Sequence, residues 1–155
     1  MPFKSLIEEP RCQIVRTLDI VGEKWSLLII RNAFRGQTKF SEFRDQLGIP
    51  TDILTARLAT LVENGIFEKQ GYRDAGNRER SSYHLSEAGR ALNIVMAAIN
   101  QWGEQFNPSP WGSASTFLDE RGKQKVSVAF VGESGTAVPQ TKVSWAPGPA
   151  STVQW

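Results

Sequence analysis

The chain has 155 residues, of which 40% are hydrophobic and 22% are charged, so it can bury a sizeable core like an ordinary globular protein. Its net charge of +2 is too small to indicate nucleic-acid binding by itself, because affinity for DNA depends on clustered cations. A single cysteine, Cys12, excludes a disulfide within the chain and a zinc site built from several cysteines. The longest apolar run, residues 25–30, cannot span a bilayer and no N-terminal signal pattern is visible, so we expect a cytoplasmic protein without a membrane partner.

The start of the chain predicts a flexible arm followed by two helices. The arm is expected to occupy residues 1–10 and to end at a proline. Apolar side chains then recur with the spacing of one helical face, at Ile14, Leu18 and Val21. Residues 25–34 are apolar nearly all round, which is typical of a buried central helix that acts as a scaffold.

The next segment predicts a helix-turn-helix. Residues 40–47 and residues 51–64 each carry apolar side chains on one face, at intervals of three and four positions. Between them, Gly48 gives the backbone freedom to leave the first helix, and Pro50 prevents its continuation. Thr51 is therefore expected to be the N-cap of the second helix.

A β-hairpin is predicted directly after the second helix. Residues 66–73 and residues 80–85 can both run extended, and the four residues 74–77 between them have turn chemistry. A helix-turn-helix followed by a basic hairpin is a winged helix, a structure that usually binds duplex DNA.

The expected DNA contacts come from the second helix and from the wing. Around that helix, short side chains occupy the face opposite the apolar stripe, which lets a helix approach base edges in a major groove closely. Alternative roles remain open: Thr51 can simply cap the helix, Asp52 can interact with the helix dipole, and the charged wing can be merely solvated. The candidate contacts are Lys39, Thr51, Asp52, Thr55, Arg57, Arg73, Arg78 and Arg80.

A long helix is predicted to begin after Ser86, a natural N-cap. It carries a narrow apolar seam at Leu92, Val95, Ile99, Trp102 and Phe106. The seam covers only about two heptads, so its pattern fits packing on the same domain as well as pairing with a second copy. Its large aromatic residues favour a partner chain.

From residue 108 the composition changes to a Pro, Gly and Ser-rich linker and then to strand-like sequence. Residues 126–130 alternate apolar and small side chains, residues 132–135 can form a turn, and residues 136–145 can pair back as a second strand. Pro139 is expected to place that strand at an edge or to bend it. A lone hairpin is marginal in water, so we expect it to dock through Trp111, Phe117 and Trp145.

Residues that could carry catalysis are scarce. His84 is the only histidine, and no Cys, Asp or Glu stands near it with the spacing of a metal site or a catalytic triad. We therefore expect neither an enzyme nor a bound cofactor or metal ion.

Several runs of the sequence resemble those of the HxlR-type winged-helix transcription regulators. They are Cys12 and residues 17–19, 22–31, 39–43, 53–58, 61–66 and 83–89. The resemblance implies a homodimer that binds a pseudo-palindromic operator, with the first and last helices forming the dimer. The implied interface residues are Ile14, Leu18, Leu92, Val95, Ile99, Trp102 and Phe106.

Two departures from the family pattern are visible. Gln13 and Glu23 stand where the family commonly has Pro and Gly, at positions that should not touch DNA. Longer relatives can also carry cysteines in a β-rich tail, whereas the tail of this chain has none and so offers no thiolate to a metal.

Cys12 has two interpretations. Some members of the resembled family use a cysteine in this region to sense oxidants or electrophiles, and Arg11 and Arg16 are expected close to this thiol. Alternatively, Cys12 is inert and buried, as free cysteines commonly are. A small-molecule or oxidant effector is therefore left open.

Together the patterns predict an α+β, mainly α, chain: a winged helix-turn-helix with a long C-terminal dimerisation helix and a small β-hairpin extension. We divide it into a flexible arm (residues 1–10), a DNA-binding and dimerisation domain (residues 11–107), and a linker with a β-rich extension (residues 108–155). The leading hypothesis is a sequence-specific regulator whose partners are double-stranded DNA and a second copy of itself. The alternative is a winged-helix module for protein interaction, whose C-terminal hairpin binds a partner protein.

Overall fold

A computed structural model describes residues 11–73, 75–76 and 79–151. Its elements, in order, are α1 (Gln13–Val21), α2 (Lys24–Phe34), α3 (Phe40–Leu47), α4 (Thr51–Glu63), β1 (Phe67–Tyr72), β2 (Arg80–Leu85), α5 (Glu87–Ala91), α6 (Asn93–Phe106), β3 (Phe130–Val131), β4 (Ala137–Val138) and a 3₁₀ turn (Gln140–Lys142). This order confirms the mainly α winged helix-turn-helix with a small hairpin extension. The chain divides into two compact units, Met1–Asn93 and Ile94–Trp155. Among the described helices, none is long and apolar enough to cross a membrane.

Helix α2 is the centre of the first unit, as its apolar sequence predicts. Ile29 and Ile30 are fully buried, and α4 packs Leu54, Leu58 and Leu61 into the same core. Other deeply buried apolar side chains are Phe43 on α3 and Phe67 on β1, whose rings meet edge to face with centroids 6.3 Å apart. This core holds α3, α4 and the first wing strand as one body.

The turn between α3 and α4 follows the prediction in all but one residue. Gly48 adopts a left-handed conformation with φ of 61°, which a glycine reaches without steric cost. Pro50, rather than Thr51, is the N-cap of α4, and Thr51 is the first helical residue. The predicted capping role of Thr51 is therefore wrong. Pro50 has a φ of −56° and no side-chain acceptor, so it sets the backbone conformation at the start of α4 without capping the first amides of the helix.

The wing is a regular antiparallel pair, with Phe67 opposite Leu85 and Tyr72 opposite Arg80. A third segment extends this sheet, because Lys39 forms a bridge with Ser82, and the Tyr83 amide donates to the Thr38 carbonyl at 2.7 Å. The loop that enters α3 is thereby fastened to β2. The Glu42 carboxylate accepts from the amides of Lys39 and Thr38, and these bonds hold its pKa below the usual value.

The predicted single helix after Ser86 is interrupted. Ser86 caps α5 as expected, accepting from the Gly89 amide at 3.0 Å. At Leu92 the backbone makes a tighter turn, in which the Leu92 amide donates to the Gly89 carbonyl, and α6 begins at Asn93. Gly89 is packed so closely that an added Cβ would lie 2.2 Å from the Ile66 carbonyl oxygen.

Two side chains of α6 contact the tail in the second unit: Gln101 binds Val128, and the Glu104 carboxylate lies 3.9 Å from the Lys125 ammonium. The Gln101 carboxamide donates to the Val128 carbonyl and accepts from the Val128 amide, both at 2.9 Å. The hairpin is shorter than predicted, because β4 ends at Val138 and the chain turns at Pro139 into the 3₁₀ turn. The prediction that the second strand reaches residue 145 is therefore wrong, whereas the predicted bend at Pro139 is confirmed.

The expected apolar contacts of the tail are only partly present. Trp111 is 92% exposed and Trp145 is 75% exposed, so neither ring is buried by the hairpin. Phe117 is half-buried, and its carbonyl accepts from the Val126 amide at 3.0 Å. The prediction that Trp111 and Trp145 bury their rings to dock the tail is therefore wrong, and polar contacts from Gln101 and Glu104 are present instead.

Candidate nucleic-acid interface

The outer face of α4 carries the short side chains that the sequence predicts. Thr51, Asp52 and Thr55 are exposed, and so are two alanines further along the helix, Ala56 and Ala59. Because the opposite face is buried against the core, this exposed strip is held in a fixed orientation. A rigid helix with short outward side chains has the shape that fits a major groove.

The hydroxyl of Thr55 is already used within the helix. It donates to the Thr51 carbonyl at 2.7 Å, a bond typical of threonine inside helices. In this rotamer the oxygen retains its lone pairs, and the methyl group remains for apolar contact. Thr55 can therefore accept from a base amino group or contact a thymine methyl, whereas donating to a base would require its hydroxyl hydrogen to leave the Thr51 carbonyl.

One face of the wing gathers cations around an aromatic ring. Tyr72 and Arg80 are directly opposite in the sheet, and Lys39 bridges to Ser82, two residues from Arg80, so these side chains share a face. The Lys39 ammonium lies 4.7 Å from the Tyr72 ring centroid, within the range of a cation–π contact. We call Lys39, Tyr72 and Arg80 the wing face.

The remaining cations predicted for the wing are Arg73 and Arg78. Arg73 is exposed immediately after β1, close in sequence to the wing face. Arg78 lies outside the described residues, so its predicted role stays a prediction. Arg44, another nearby cation, forms a 2.7 Å ion pair with exposed Asp45, and this partner holds the Arg44 pKa above its usual value.

Arg57 lies on the flank of α4 and differs from the other candidates. It is half-buried, and its Nε is inaccessible and has no hydrogen-bond partner among the described residues. A buried donor without an acceptor costs about 1–3 kcal/mol, which a turn of the guanidinium toward a phosphate would recover. Arg57 is therefore better suited to a phosphate than to a base edge.

Arg31 and Arg35 near the end of α2 were missed by the sequence interpretation. Burial lowers the pKa of Arg31, and the neighbouring charge of Arg35 lowers it further. The Arg31 Nε donates to the Asn32 side-chain oxygen at 3.0 Å, so this guanidinium is already held by a neighbour on α2. The signal in the sequence was their i, i+4 spacing, which places both on one helix face.

The predicted dimer residues are accessible on the elements that carry them. On α1, Ile14 is 51% exposed and Leu18 is 55% exposed. Exposed large apolar side chains on α6 are Ile94, Ile99, Trp102 and Phe106, of which Ile94 was not predicted. Leu92 and Val95 are half-buried. Both helices thus expose apolar side chains of the kind that proteins usually bury in an interface.

Cys12 is exposed and is the N-cap of α1, where its carbonyl accepts from the Arg16 amide at 3.1 Å. The interpretation of Cys12 as a buried residue is therefore wrong. Its side chain makes no cap hydrogen bond, which leaves the sulfur open to solvent. Whether the thiol senses oxidants stays a hypothesis.

The side chain of His84, which we considered for catalysis, is held by a neighbour on its own strand. His84 is half-buried, and its Nε2 lies 3.0 Å from the buried Ser82 hydroxyl on the same strand. In the part of the chain that the structure describes, no three His, Cys, Asp or Glu side chains group together as metal ligands.

Comparison with known proteins identifies the family. A model described as HxlR-like helix-turn-helix matches residues 20–110. The chain is 43% identical over 97 residues to an HTH-type transcriptional regulator of Mycobacterium bovis, Mb3122, an alignment covering 63% of this chain and 60% of that protein. This chain therefore aligns with less than two thirds of the length of that relative.

Two solved structures show how far the similarity extends. The crystal structure of PA1607 is 33% identical with a TM-score of 0.75, covering 90% of this chain and 97% of PA1607. The reduced form of the redox regulator HypR is 29% identical with a TM-score of 0.54, covering 61% of this chain and 92% of HypR. Because the family model matches more than half of its residues, the chain belongs to the HxlR-like helix-turn-helix family.

Proposed function

We propose that this protein is a transcriptional regulator that binds a pseudo-palindromic operator as a homodimer. The observation that carries the proposal is the pairing of two surfaces in the first unit. One is the exposed strip of short side chains on α4, and the other is the cationic wing face of Lys39, Tyr72 and Arg80. Membership of a helix-turn-helix family supports the same function.

In the proposed complex, α4 lies in the major groove. Its N-terminal residues Thr51, Asp52 and Thr55 meet base edges, where short polar groups can discriminate between base pairs. Asp52 can accept from a cytosine amino group, and Thr55 acts through its oxygen lone pairs or its methyl group. These residues are proposed to determine sequence preference.

The wing and the flank of α4 are proposed to hold the DNA backbone. The wing face presents cations to phosphates, Arg73 adds a further cation, and Arg57 turns toward a phosphate to satisfy its buried Nε. Arg78 is assigned the same task from its place in the sequence. Such contacts release condensed counterions and make binding strongly dependent on salt.

Dimerisation is proposed to bury the exposed apolar side chains of α1 and α6. A two-fold dimer presents two α4 helices to one face of the duplex, so its half-sites should lie about 34 Å, or one helical turn, apart. The family model and the accessible positions of Ile14, Leu18 and Ile99 support this assembly.

The proposal also includes a response to oxidants through the thiol of Cys12. HypR is titled a redox regulator, and Cys12 of this chain is exposed at the start of α1, a proposed dimer helix. A thiolate that attacks a peroxide forms an S–O bond and breaks the O–O bond, with hydroxide or an alkoxide leaving. The new polar group would then stand beside the α1 part of the interface.

A second candidate function rests on the tail. Trp111 and Trp145 are largely exposed, and exposed tryptophans are typical of protein contact sites. In that alternative, the winged helix is an interaction module and the C-terminal hairpin binds a partner protein.

Binding to duplex DNA at several salt concentrations separates the two functions. A DNA-binding regulator should bind a random-sequence duplex with a linear dependence of log K on log salt concentration, and the slope gives the number of phosphate contacts. The interaction module should show no saturable binding to duplex DNA at any salt concentration. That second result would overturn the proposed function.

A further inference from the structure

The loop that enters α3 is held by one side chain of that helix, Glu42. Its carboxylate oxygen Oε2 accepts from the Thr38 amide at 2.8 Å and from the Lys39 amide at 2.9 Å. Lys39 is the N-cap of α3 and Thr38 precedes it, so neither amide has an acceptor within the helix. Glu42 therefore closes the N-terminal end of α3 with its own side chain.

The same two loop residues attach the wing to α3. The Thr38 carbonyl accepts from the Tyr83 amide at 2.7 Å, and Lys39 forms a bridge with Ser82 on the same strand. The Thr38 backbone is thus bound on both sides, by Glu42 at its amide and by β2 at its carbonyl. Without the carboxylate, the loop would keep its contact with β2 and lose its attachment to α3.

The backbone of Lys39 determines where its ammonium can lie. Bridged residues of antiparallel segments share a face, so the bridge to Ser82 directs the Lys39 side chain onto the wing face. There the ammonium lies 4.7 Å from the Tyr72 ring centroid. Because the lysine side chain is long and flexible, it reaches one place reproducibly only from a fixed backbone.

The charge of Glu42 gives two possible roles opposite signs. Its bonds from the Lys39 and Thr38 amides hold its pKa below the usual value, so the carboxylate is ionised at neutral pH. A carboxylate near DNA repels phosphates, so if only its charge mattered, removing it would strengthen binding. If instead Glu42 places Lys39, removing it would weaken binding.

We propose that Glu42 is a positioning residue for DNA binding, which places the Lys39 ammonium on the wing face by bonding the amides of Thr38 and Lys39. This inference rests on the proposed function, because it concerns the phosphate contact assigned there to Lys39. Glutamine keeps an acceptor oxygen at the same reach without the charge, whereas alanine removes both. The two substitutions therefore separate the geometry of Glu42 from its charge.

Titration of a random-sequence duplex at several salt concentrations tests the proposal with the full chain. We expect Lys39→Ala and Glu42→Ala each to make the slope of log K against log salt concentration shallower by about 0.9. If one phosphate contact contributes nothing near about 1 M salt, this change means about eightfold weaker binding at about 0.1 M. Glu42→Gln should keep the native slope. The double variant should match Lys39→Ala, because both substitutions remove the same contact.

Glu68→Gln is the matched control for charge. Glu68 is exposed on β1 opposite His84, on the same side of the sheet as Tyr72 and Arg80. Its replacement removes a negative charge from that side and leaves the bonds of Glu42 in place. We expect binding that is unchanged or stronger. A loss of affinity equal to that of Glu42→Ala would contradict the proposal.

Hydrogen exchange of the Tyr83 amide tests the attachment without DNA. This amide should exchange at least about tenfold faster in Glu42→Ala than in the native chain, and Glu42→Gln should stay within about twofold of the native rate. Circular dichroism first establishes that each variant is folded. If Glu42→Ala does not fold, Glu42→Asp takes its place, because it keeps the charge but withdraws the acceptor by one methylene.

The possible failures are distinguishable. A native chain that binds no duplex would refute the proposed function, and a native slope in Lys39→Ala would refute the phosphate contact, in each case together with this inference. The expected Lys39→Ala slope combined with a native slope in Glu42→Ala would refute the role of Glu42 alone. Stronger binding by Glu42→Ala, or additive losses in the double variant, would also overturn it.

Discussion

Replacement of Arg80 by alanine tests whether the wing face holds the DNA backbone. Arg80 stands opposite Tyr72, whose ring is in contact with the Lys39 ammonium. If its guanidinium neutralises one phosphate, Arg80→Ala should make the slope of log K against log salt concentration shallower by about 0.9. Between about 50 and 200 mM salt, the native protein would then lose about 3.5 times more affinity than the variant.

Lys69→Ala is the matched control for this experiment. Lys69 is exposed on β1 and pairs with Tyr83, which places it on the opposite face of the wing. The substitution Lys69→Ala therefore removes one positive charge from that opposite face. Fluorescence anisotropy of a labelled duplex at several salt concentrations gives both slopes. We expect the Lys69→Ala slope to match that of the native protein. Equal changes in the two variants, or an unchanged Arg80→Ala slope, would refute docking through the wing face.

Four further predictions follow from other parts of the molecule. Thr55→Ala removes both the hydroxyl oxygen and the methyl group, so it should cost about 1 kcal/mol or more on the operator and little on scrambled DNA, measured by titration of both duplexes; equal losses would exclude base recognition by this residue. Ile99→Asp should weaken self-association and DNA binding, and sedimentation at low concentration checks this, since a dimer that persists would show that Ile99 lies outside the interface. Cys12→Ser should retain DNA binding and lose any response to peroxide, whereas an oxidised native protein with unchanged affinity would end the sensor hypothesis. Gly89→Ala should destabilise the fold by about 1–3 kcal/mol in urea unfolding because its Cβ would meet backbone, while Gly103→Ala on α6, whose Cβ would meet no atom within 4 Å, should be neutral or stabilising; no loss at Gly89 would contradict the packing described.

The first unit could be predicted well because its signals are local. The apolar periodicity around Leu54 and Leu58 defines the buried face of α4, and the glycine at position 48 marks the end of α3. The exposed face of α4 follows directly from the same periodicity. What failed there was the cap of α4, which is Pro50 instead of Thr51, the continuity of the helix after Ser86, which is interrupted at Leu92, and the buried alternative for Cys12.

Long-range pairings could not be predicted from local patterns. The bridge between Lys39 and Ser82 joins segments more than 40 positions apart, and it is the contact that brings Lys39 to the wing. Likewise, Gln101 binds the backbone of Val128, 27 positions further along the chain. No local sequence pattern around either residue indicates this contact. The residues predicted to dock the tail, Trp111, Phe117 and Trp145, therefore did not include Gln101.

Selection of binding sites from a library of random duplexes tests the central proposal most directly. The native protein would be incubated with the library at moderate salt, and the bound duplexes would be amplified and sequenced over several rounds. We predict enrichment of an inverted repeat whose half-sites are centred about 10 base pairs, one helical turn, apart. Enrichment of a single, asymmetric site would contradict the dimer, and a library that remains random would contradict sequence-specific binding by α4.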